Sequence, residues 1–394
     1  MTRAAGPSGL PLPAGSIGPC VILGVAGDER VQGFCAALVR AGQPPAQVLD
    51  YADFVEAPDR LGALFPEGRG LLRIDSPGGG PRIRQILLRL VGETDAEDGG
   101  EAMREATRLR PGHAVQRGLT AALRLARRVV PPGVALTHEA DTVALFYDKR
   151  ACHAAMAAQG LPVPRALPPA GSFDALVEAM RAAGLTRVFV KPRFGSGAAG
   201  IAALTVARDG IAADTSAEHV PGAGTGVLHH SHRMRRYRGP AAVALVDAIL
   251  AQDAHVEQWV PKAALDGGAC DLRVLVVDGE PAHIVLRRAR GPITNLDLGG
   301  RRADAEALRA LAPPAVWEAM RADCRRFAAS FPQTFHVAFD VALTVSLRRH
   351  VFFEANAFGD LIRRVRHEGL GPYEWQVARL PGWLAARRPV GLAA

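Results

Sequence analysis

The segment HVAFDVALT…HVFFEANAFGDL (336–361) most constrains the fold, because it sets polar side chains inside two apolar runs. In VFFEAN, Glu354 and Asn356 are two residues apart on a predicted strand, so both project from one face while Phe353 projects from the other. Asp340 lies in the preceding predicted strand, AFDVAL, which a hairpin would join to the next. Carboxylate and amide oxygens are the hard ligands that Mg2+ prefers. A surface hairpin with incidental acids is the alternative, but the apolar flanks favour a metal site.

A Gly-rich loop follows another predicted strand, in RVFVKPRFGSGAAGI (187–201). The β-branched strand leads Lys191 directly into Gly195, Ser196 and Gly197. Glycines let backbone N–H groups close on phosphate oxygens, and a lysine at the strand end adds a point charge. A flexible hairpin turn is the alternative. The order of residues predicts a phosphate-binding loop, which is not a Walker loop because no Gly-Lys-Ser/Thr follows.

Lysine is rare in this chain, since the 47 basic residues include only three lysines, Lys149, Lys191 and Lys262. A chain that otherwise uses arginine retains lysine where a compact ammonium group is needed. Lys149 begins a short predicted helix in DKRACHAAMAAQGLPVP (148–164), which Gly160 ends. A lysine at a helix start is usually solvated, so Lys149 gains meaning only beside Lys191.

A second hairpin is predicted in DLRVLVVDGEPAHIVLRRA (271–289), where Asp-Gly forms a two-residue turn. Arg273 lies on one arm, Arg287 and Arg288 lie on the other, and Asn295 follows. Two inward arginines with Asn295 would form a cradle for an anion, and solvated surface arginines are the alternative. In a strict two-residue hairpin Arg273 shares a face with Arg288, whereas a bulge brings Arg287 to that face. The sequence leaves this choice open.

The front of the chain predicts a separate α/β domain. An apolar run at 20–25 precedes a helical pattern, and 48–54 and 71–80 indicate further strands. Residues 100–147 have a mainly helical pattern typical of a linker. The Gly- and Pro-rich residues 1–18 predict a disordered tail.

Composition argues against several classes of protein. No run approaches eighteen uninterrupted apolar residues, so we expect no membrane span and a cytoplasmic location. Five cysteines without CxxC spacing suit a reducing compartment. The net charge of +8 is spread along the chain, so nucleic-acid binding is a minor alternative. The run HHSHRMRRYRG (229–239) lacks the spacing of a zinc site, and its arginines would repel a cation, so it predicts a solvated basic loop.

Taken in order, these segments resemble the ATP-grasp superfamily, in particular its peptide and amino-acid ligase branch, which includes ribosomal-protein glutamate ligases. The resemblance covers about residues 140–385. It rests on DK at 148–149, KPRFGSG at 191–197, EQWV at 257–260, DLR at 271–273, LRRA…TN at 286–295, FD at 339–340 and FEAN at 353–356. Ligases of this branch usually follow the metal-binding Asn with Ser-Pro-Gly, where this chain has Ala-Phe-Gly-Asp-Leu. That departure bears on the substrate more than on ATP.

The resemblance implies a fold and a domain division. An α/β, Rossmann-like pre-ATP-grasp domain would occupy 19–135, and an α+β ATP-grasp fold of two subdomains would occupy 140–388. The subdomain with the Gly-rich loop would span about 165–260 and carry a basic insertion at 205–245.

The resemblance also implies a role for each motif residue. Those implied to bind ATP are Lys149 and Lys191 at the α- and β-phosphates, Gly195, Ser196 and Gly197 over the triphosphate, and Glu257, Gln258, Val260 and Lys262 around the adenosine. Those implied to bind two Mg2+ ions, with Mn2+ as the alternative metal, are Asp340, Glu354 and Asn356. Those implied to face the γ-phosphate and the acyl intermediate are Arg273, Arg287 and Asn295.

The function that follows is ATP-dependent, ADP-forming ligation of a small-molecule or peptide carboxylate to an amine or another nucleophile, through an acyl phosphate. A phosphotransferase with the same fold and a non-catalytic ATP-binding protein are the alternatives. Binding ATP alone would not need the complete set of metal ligands and arginines, which argues against the last alternative. Neither the carboxylate nor the nucleophile is identified by these residues.

Overall fold

Three β-sheets form the framework of the chain. The structure is a computed structural model that describes residues 17–95, 107–359, 362 and 364–387. The predicted tail at 1–18 lies outside the described residues except for its last two positions. Among the residues that are described, no helix is both long and apolar enough to cross a membrane.

The described strands and helices have the following bounds. The strands are β1 Cys20–Leu23, β2 Gln47–Leu49, β3 Arg69–Ile74, β4 Arg108–Leu109, β5 Gly133–Leu136, β6 Arg187–Pro192, β7 Ala202–Ala207, β8 Gly210–Val220, β9 Val227–Arg238, β10 Ala254–Gln258, β11 Ala264–Leu265, β12 Gly268–Val277, β13 Glu280–Ala289, β14 Arg301–Ala303, β15 His336–Leu343 and β16 His350–Asn356. The helices are α1 Glu29–Arg40, α2 Tyr51–Glu56, α3 Asp59–Ala63, α4 Pro81–Arg89, α5 His113–Val129, α6 Ala140–Tyr147, α7 Lys149–Ala158, α8 Phe173–Ala182, α9 Pro240–Leu250, α10 Ala305–Leu311, α11 Pro314–Ala329 and α12 Pro372–Ala385.

The first sheet is parallel, with the strand order β2-β1-β3-β5. The prediction of a strand at 48–54 is wrong for its second half, because β2 ends at Leu49 and α2 begins at Tyr51. The Asp50 carboxylate accepts a hydrogen bond from the first turn of α2, and the helix buries Tyr51 and Phe54. Residues three apart share a helical face, so this short run buries its aromatic side chains as a helix.

The mainly helical pattern predicted at 100–147 is confirmed by α5 and α6, but the segment is more than a linker, because β5 joins the first sheet and β4 joins the second. Helix α5 buries Leu119 and Leu123, and β5 pairs in parallel with β3. Helix α5 ends just before the two prolines at 131–132, and the chain then enters a strand of four residues. A strand this short is hidden in a window dominated by the long helical period around it.

The second sheet is antiparallel, with the order β10-β6-β7-β8-β9-β4, and it packs its own core against α8 and α9. The segment predicted as a basic insertion (205–245) supplies part of this sheet. The run 229–239, predicted to be a loop, lies on β9 and pairs with β8, so that prediction is wrong. Arg235 is exposed and donates to Glu218 of β8 at 2.7 Å. Polar side chains on both faces of β9 remove the alternation from which strands are predicted.

The third sheet is antiparallel, with the order β14-β13-β12-β15-β16 and with β11 paired to β12. One hydrophobic core joins it to the first sheet, and this core includes Leu72 and Phe339. The buried Arg73 of β3 adds a polar link, because it donates to the Gln376 side chain of α12 at 2.7 Å. The first and third sheets therefore support each other behind the cavity that they border.

Two register shifts decide which side chains of the third sheet face that cavity. A shift between Leu275 and Val276 pairs β12 with β13 so that Asp271 lies opposite Arg287, which is the bulged alternative. A second shift after Asp340 pairs that residue with Glu354 on β16. This second shift leaves Phe353 as the extra residue, and its ring lines the cavity, so the prediction that Phe353 faces away is wrong. Strand side chains alternate, so one extra residue reverses a face.

Candidate active site

A cavity of about 1370 Å³ lies where the three sheets meet. Its walls come from the loop at 76–80 after β3, from the loop after β6 and from the ends of β12, β13, β15 and β16. Pockets for single drug-sized ligands have volumes of about 300–1,000 Å³. This cavity is therefore large enough for more than one ligand.

The two carboxylates predicted to bind metal face each other across adjacent strands. Asp340 pairs in register with Glu354, and Asn356 follows two residues later on the same strand and also lines the cavity. The Asn356 amide nitrogen donates to the Ala338 carbonyl at 3.4 Å, which turns the amide group toward β15. The structure thus brings all three predicted metal ligands to one wall of the cavity.

The two carboxylates differ in their electrostatics. Burial and the neighbouring Glu354 raise the pKa of Asp340, although Arg273 and Arg287 lower it. Burial would also raise the pKa of Glu354, but the two ammonium groups of Lys149 and Lys191 lower it. Two guanidinium groups therefore do not fully offset the buried negative charge on Asp340, and a cation between the carboxylates would be favourable.

Two arginines of the β12–β13 hairpin contact the carboxylate of Asp340, which is predicted to bind metal. The Arg273 Nε lies 2.7 Å from Asp340 Oδ1, and an Nη of Arg287 lies 3.0 Å from the same oxygen. Arg288 points to the other side, where it pairs with the exposed Asp266. The structure therefore places Arg287, and not Arg288, at the cavity.

Lys149 is brought to the cavity by the start of α7. The Asp148 carboxylate accepts hydrogen bonds from the first turn of that helix and also binds Arg193 at 2.8 and 2.6 Å. This contact ties the helix start to the loop after β6, and the Lys149 ammonium group donates to the Gly195 carbonyl. Its Nζ lies 4.0 Å from Glu354 Oε2, and burial lowers the pKa of Lys149.

The Gly-rich loop has an open geometry. Gly197 has a φ of +64°, a left-handed conformation that glycine adopts without strain. A side chain built at Gly195 or Gly197 would meet no atom within 4 Å, so these backbone groups border open space. Ser196 and Gly197 are exposed at the cavity wall. The loop thus presents backbone groups beside Lys149 and Lys191.

Lys191 is the last residue but one of β6 and pairs with His255 of the neighbouring strand β10. Its Nζ is 2.5 Å from Glu257 Oε1, and both residues are buried. Gln258 and Val260, also predicted to contact the adenosine, do not line the cavity. The backbone N–H of Gln258 donates instead to the Arg165 carbonyl at 2.8 Å. Of this predicted group, the structure brings Glu257 and Lys262 to the cavity.

Lys262 lies on the same side of the cavity as Arg273 and Arg287. It is held there by Asp271, which belongs to none of the predicted sites. Its Nζ donates to Asp271 Oδ2 at 3.0 Å and to the Thr294 hydroxyl at 2.9 Å. Asp271 also accepts from Arg287 at 2.8 Å. Its position two residues before Arg273 in DLR was the available signal, because residues two apart share a strand face. Asn295 lines the cavity but uses its side-chain oxygen to accept from the Asp297 N–H at 2.7 Å.

The wall from the first sheet adds further basic side chains that sequence reasoning missed. Arg30 and Arg84 line the cavity beside the loop at 76–80. Arg30 pairs with Asp28 at 2.8 Å, and Arg84 pairs with Asp95 at 2.6 Å. Arg30 and Arg84 lie 118 and 64 positions before Asp148, where the first motif of the resemblance begins, so only the folded chain associates them with it.

Comparison with known proteins agrees with this architecture. No family model matches the sequence, and no curated protein matches it. The D-cycloserine synthetase DcsG has a similar structure, with 16% identity over 94% of this chain and 99% of that chain and a TM-score of 0.53. The ATP-grasp ligase PsnB, complexed with a minimal precursor, is 14% identical over 92% and 98% of the two chains, with a TM-score of 0.50. The macrocyclase MdnC from Microcystis aeruginosa MRC, bound with the precursor peptide MdnA, is 11% identical over 93% and 99%, with a TM-score of 0.50.

The chain has the same fold as these three solved structures over 92–94% of its length. More particularly, PsnB is an ATP-grasp ligase, so the fold that the resemblance implies, the ATP-grasp fold, is confirmed. At these identities the similarity concerns the fold.

Proposed function

We propose that the protein is an ATP-dependent, ADP-forming ligase that joins a carboxylate to a nucleophile through an acyl phosphate. One observation carries the proposal: oxygen ligands, lysines and arginines from separate parts of the sequence line a single cavity. Lys149 and Glu354, which are 205 positions apart, come within 4.0 Å of each other. Burying so many charged side chains at one wall of the cavity is costly without a charged ligand to bind. Their presence there therefore supports a charged ligand.

In this proposal the nucleotide lies between the second and third sheets. Lys149 and Lys191 hold the α- and β-phosphates, and the backbone of the loop at 195–197 covers the triphosphate. Glu257 lies at the adenine end, where its carboxylate would accept from the amino group. The parallel first sheet supports the Rossmann-like domain that the resemblance implies, and its wall would contact the second substrate.

The residues fit two Mg2+ ions, for which Mn2+ is the alternative. Asp340, Glu354 and Asn356 would hold the ions, because they supply hard oxygen ligands at one wall of the cavity. When bound, the metal ions would neutralise charge on the phosphates that the protein also contacts. The raised pKa of Asp340 supports this fit, because it reflects negative charge that the protein's own cations leave uncompensated.

The protein side chains would act by positioning and by neutralising charge. A substrate carboxylate oxygen attacks the γ-phosphorus, the bond to the β,γ-bridging oxygen breaks, and ADP leaves. A nucleophile then attacks the acyl carbon, and inorganic phosphate leaves. Arg273 and Arg287 stand where the transferred phosphoryl group gains charge, so no Ser-His-Asp arrangement is required.

The substrate class follows from the cavity and from the similar structures. DcsG is a D-cycloserine synthetase, whereas PsnB and MdnC were solved with precursor peptides. A small-molecule or peptide carboxylate therefore suits this cavity, whose volume exceeds that of a pocket for one ligand.

Two measurements test the proposal with the full chain. ATP with Mg2+ should raise the thermal unfolding midpoint, because a ligand that binds only the folded state stabilises it. ADP release should then require both a carboxylate and an amine when pools of each are supplied. ADP release with a hydroxyl compound and no carboxylate would instead indicate a phosphotransferase. Stabilisation by ATP without any ADP release would indicate a binding protein.

A further inference from the structure

The carboxylate of Glu257 is engaged on both oxygens before any ligand is considered. Oε1 lies 2.5 Å from Lys191 Nζ, and Oε2 lies 3.2 Å from His255 Nε2. Its side chain is 1% exposed. Although burial opposes it, the charges of Lys191 and His255 lower the pKa of Glu257 to about 2. An ionised carboxylate therefore sits between a lysine and a histidine.

The sheet register explains how the three side chains meet. Lys191 lies directly opposite His255 in the antiparallel β6–β10 pair, and Glu257 is two residues further along β10. All three project from the same face, where diagonal neighbours lie within reach of long side chains. His255 therefore lies beside both members of the Lys191–Glu257 ion pair.

A metal ion is the alternative occupant of this cluster. The ligand atoms of His153, His255 and Glu257 lie within 4.8 Å of one another, and all three residues are buried. The Lys191 ammonium group already lies against the carboxylate, and the His153 Nε2 lies 2.7 Å from the Pro164 carbonyl. A divalent cation would have to displace both contacts. The hydrogen bond between His255 and Glu257 and the ion pair between Glu257 and Lys191 explain why these side chains cluster, without an ion.

We propose that His255 is a positioning residue for nucleotide binding, because it fixes the Glu257 carboxylate that holds the Lys191 ammonium group toward the triphosphate. A lysine side chain loses rotamer freedom when it is ordered, so a partner that orders it beforehand favours binding. The inference rests on the proposed function and adds to it. Adenine recognition and lysine positioning are separate roles of Glu257, and they can be measured separately.

The test is calorimetric titration of the full chain with Mg·ATP and with Mg·ITP, whose base lacks the amino group. His255→Leu should weaken both nucleotides by the same factor, about tenfold for the loss of one hydrogen bond to a charged group. His255→Gln, which restores a donor, should remain within about threefold of the unsubstituted chain. His153→Leu is the matched control, since this equally buried histidine bonds a backbone carbonyl instead of Glu257.

A double-mutant cycle completes the test. In a Lys191→Met background, His255→Leu should cause no further loss, because the group that it positions is gone. A loss confined to ATP, or an undiminished loss without Lys191, overturns the proposal. Should His255→Leu fail to fold, His255→Asn, whose shorter side chain falls short of the carboxylate, takes its place in the same cycle. Failure of the unsubstituted chain to bind either nucleotide overturns the proposed function itself, and this proposal with it.

Discussion

Asp271→Asn should destabilise the protein strongly, even though Asp271 belongs to none of the predicted sites. Its carboxylate is 5% exposed and contacts Lys262, Arg287 and the Thr294 hydroxyl. Although burial opposes it, Arg287 and Lys262 hold the pKa of Asp271 well below its ordinary value. The amide of Asn has the same size as the carboxylate but no negative charge, so it cannot neutralise Lys262 and Arg287. Both cations are left with less negative charge around them.

The magnitude follows from what each cation retains. Breaking a buried pair by removing one partner costs about 3–5 kcal/mol. Arg287 keeps Asp340 at 3.0 Å, whereas Lys262 keeps the neutral Thr294 hydroxyl. One cation rather than two is left without a carboxylate, so we expect the lower end, about 3 kcal/mol. For a cooperative unit of 150–250 residues this corresponds to a fall of about 6–12 °C in the unfolding midpoint.

Thermal unfolding without ligand at pH 7, followed by circular dichroism, measures this effect. Asp266→Asn is the control, because Asp266 pairs with Arg288 near the same hairpin but is 74% exposed. We expect that control to change the free energy of unfolding by less than about 1 kcal/mol. Adding Lys262→Met to Asp271→Asn should recover part of the loss, since it removes the stranded ammonium group. Equal effects of the two Asn variants, or no recovery in the double variant, would refute the reasoning.

Three further predictions follow from the site and its surroundings. Glu354→Ala should reduce ADP release by at least about a thousandfold while the protein still folds, and normal turnover would contradict the metal assignment. Removing Mg2+ with EDTA should abolish the stabilisation by ATP, and an equal shift in EDTA would count against bound metal ions. Burial and the charge of His367 lower the pKa of His283 to about 4, although the hydrogen bond to the Leu370 carbonyl and the charge of Glu374 oppose this shift. Its contribution to stability is therefore complete above the ordinary pKa of about 6.5 and falls by up to about 1.4 kcal/mol per pH unit toward pH 4, so His283→Phe should flatten that slope in urea unfolding.

The strands that carry the motifs were predictable because polar residues interrupt strong apolar runs. Glu354 and Asp340 stand out in β16 and β15 since their neighbours are aromatic or aliphatic. The Asp-Gly turn likewise predicts the β12–β13 hairpin, which has its turn at that position. Burial of a charge is costly, so a charge within a buried strand indicates a partner or a ligand.

Register and distant contacts were not predictable, for a different reason. The shift between Leu275 and Val276 depends on how β12 packs between two neighbouring strands, and no local pattern marks it. The side chains of Arg30 and Arg84 reach the cavity only because the first sheet shares a core with the third. The bond between His255 and the Glu257 carboxylate was not predictable either, since it forms only when β10 pairs with β6.

The second register shift also accounts for the three lysines. It turns the ring of Phe353 into the cavity, where Lys191 Nζ lies 5.8 Å and Lys262 Nζ lies 5.1 Å from the ring centre. Lys149 approaches the next residue, Glu354. Lys191 and Lys262 lie near one ring, and Lys149 lies beside the adjacent carboxylate. Ammonium groups fit this crowded space, because planar guanidinium groups would compete for the ring face and for room. The retention of lysine at these three positions thus follows from one bulge in β16 and from the crowding that it creates.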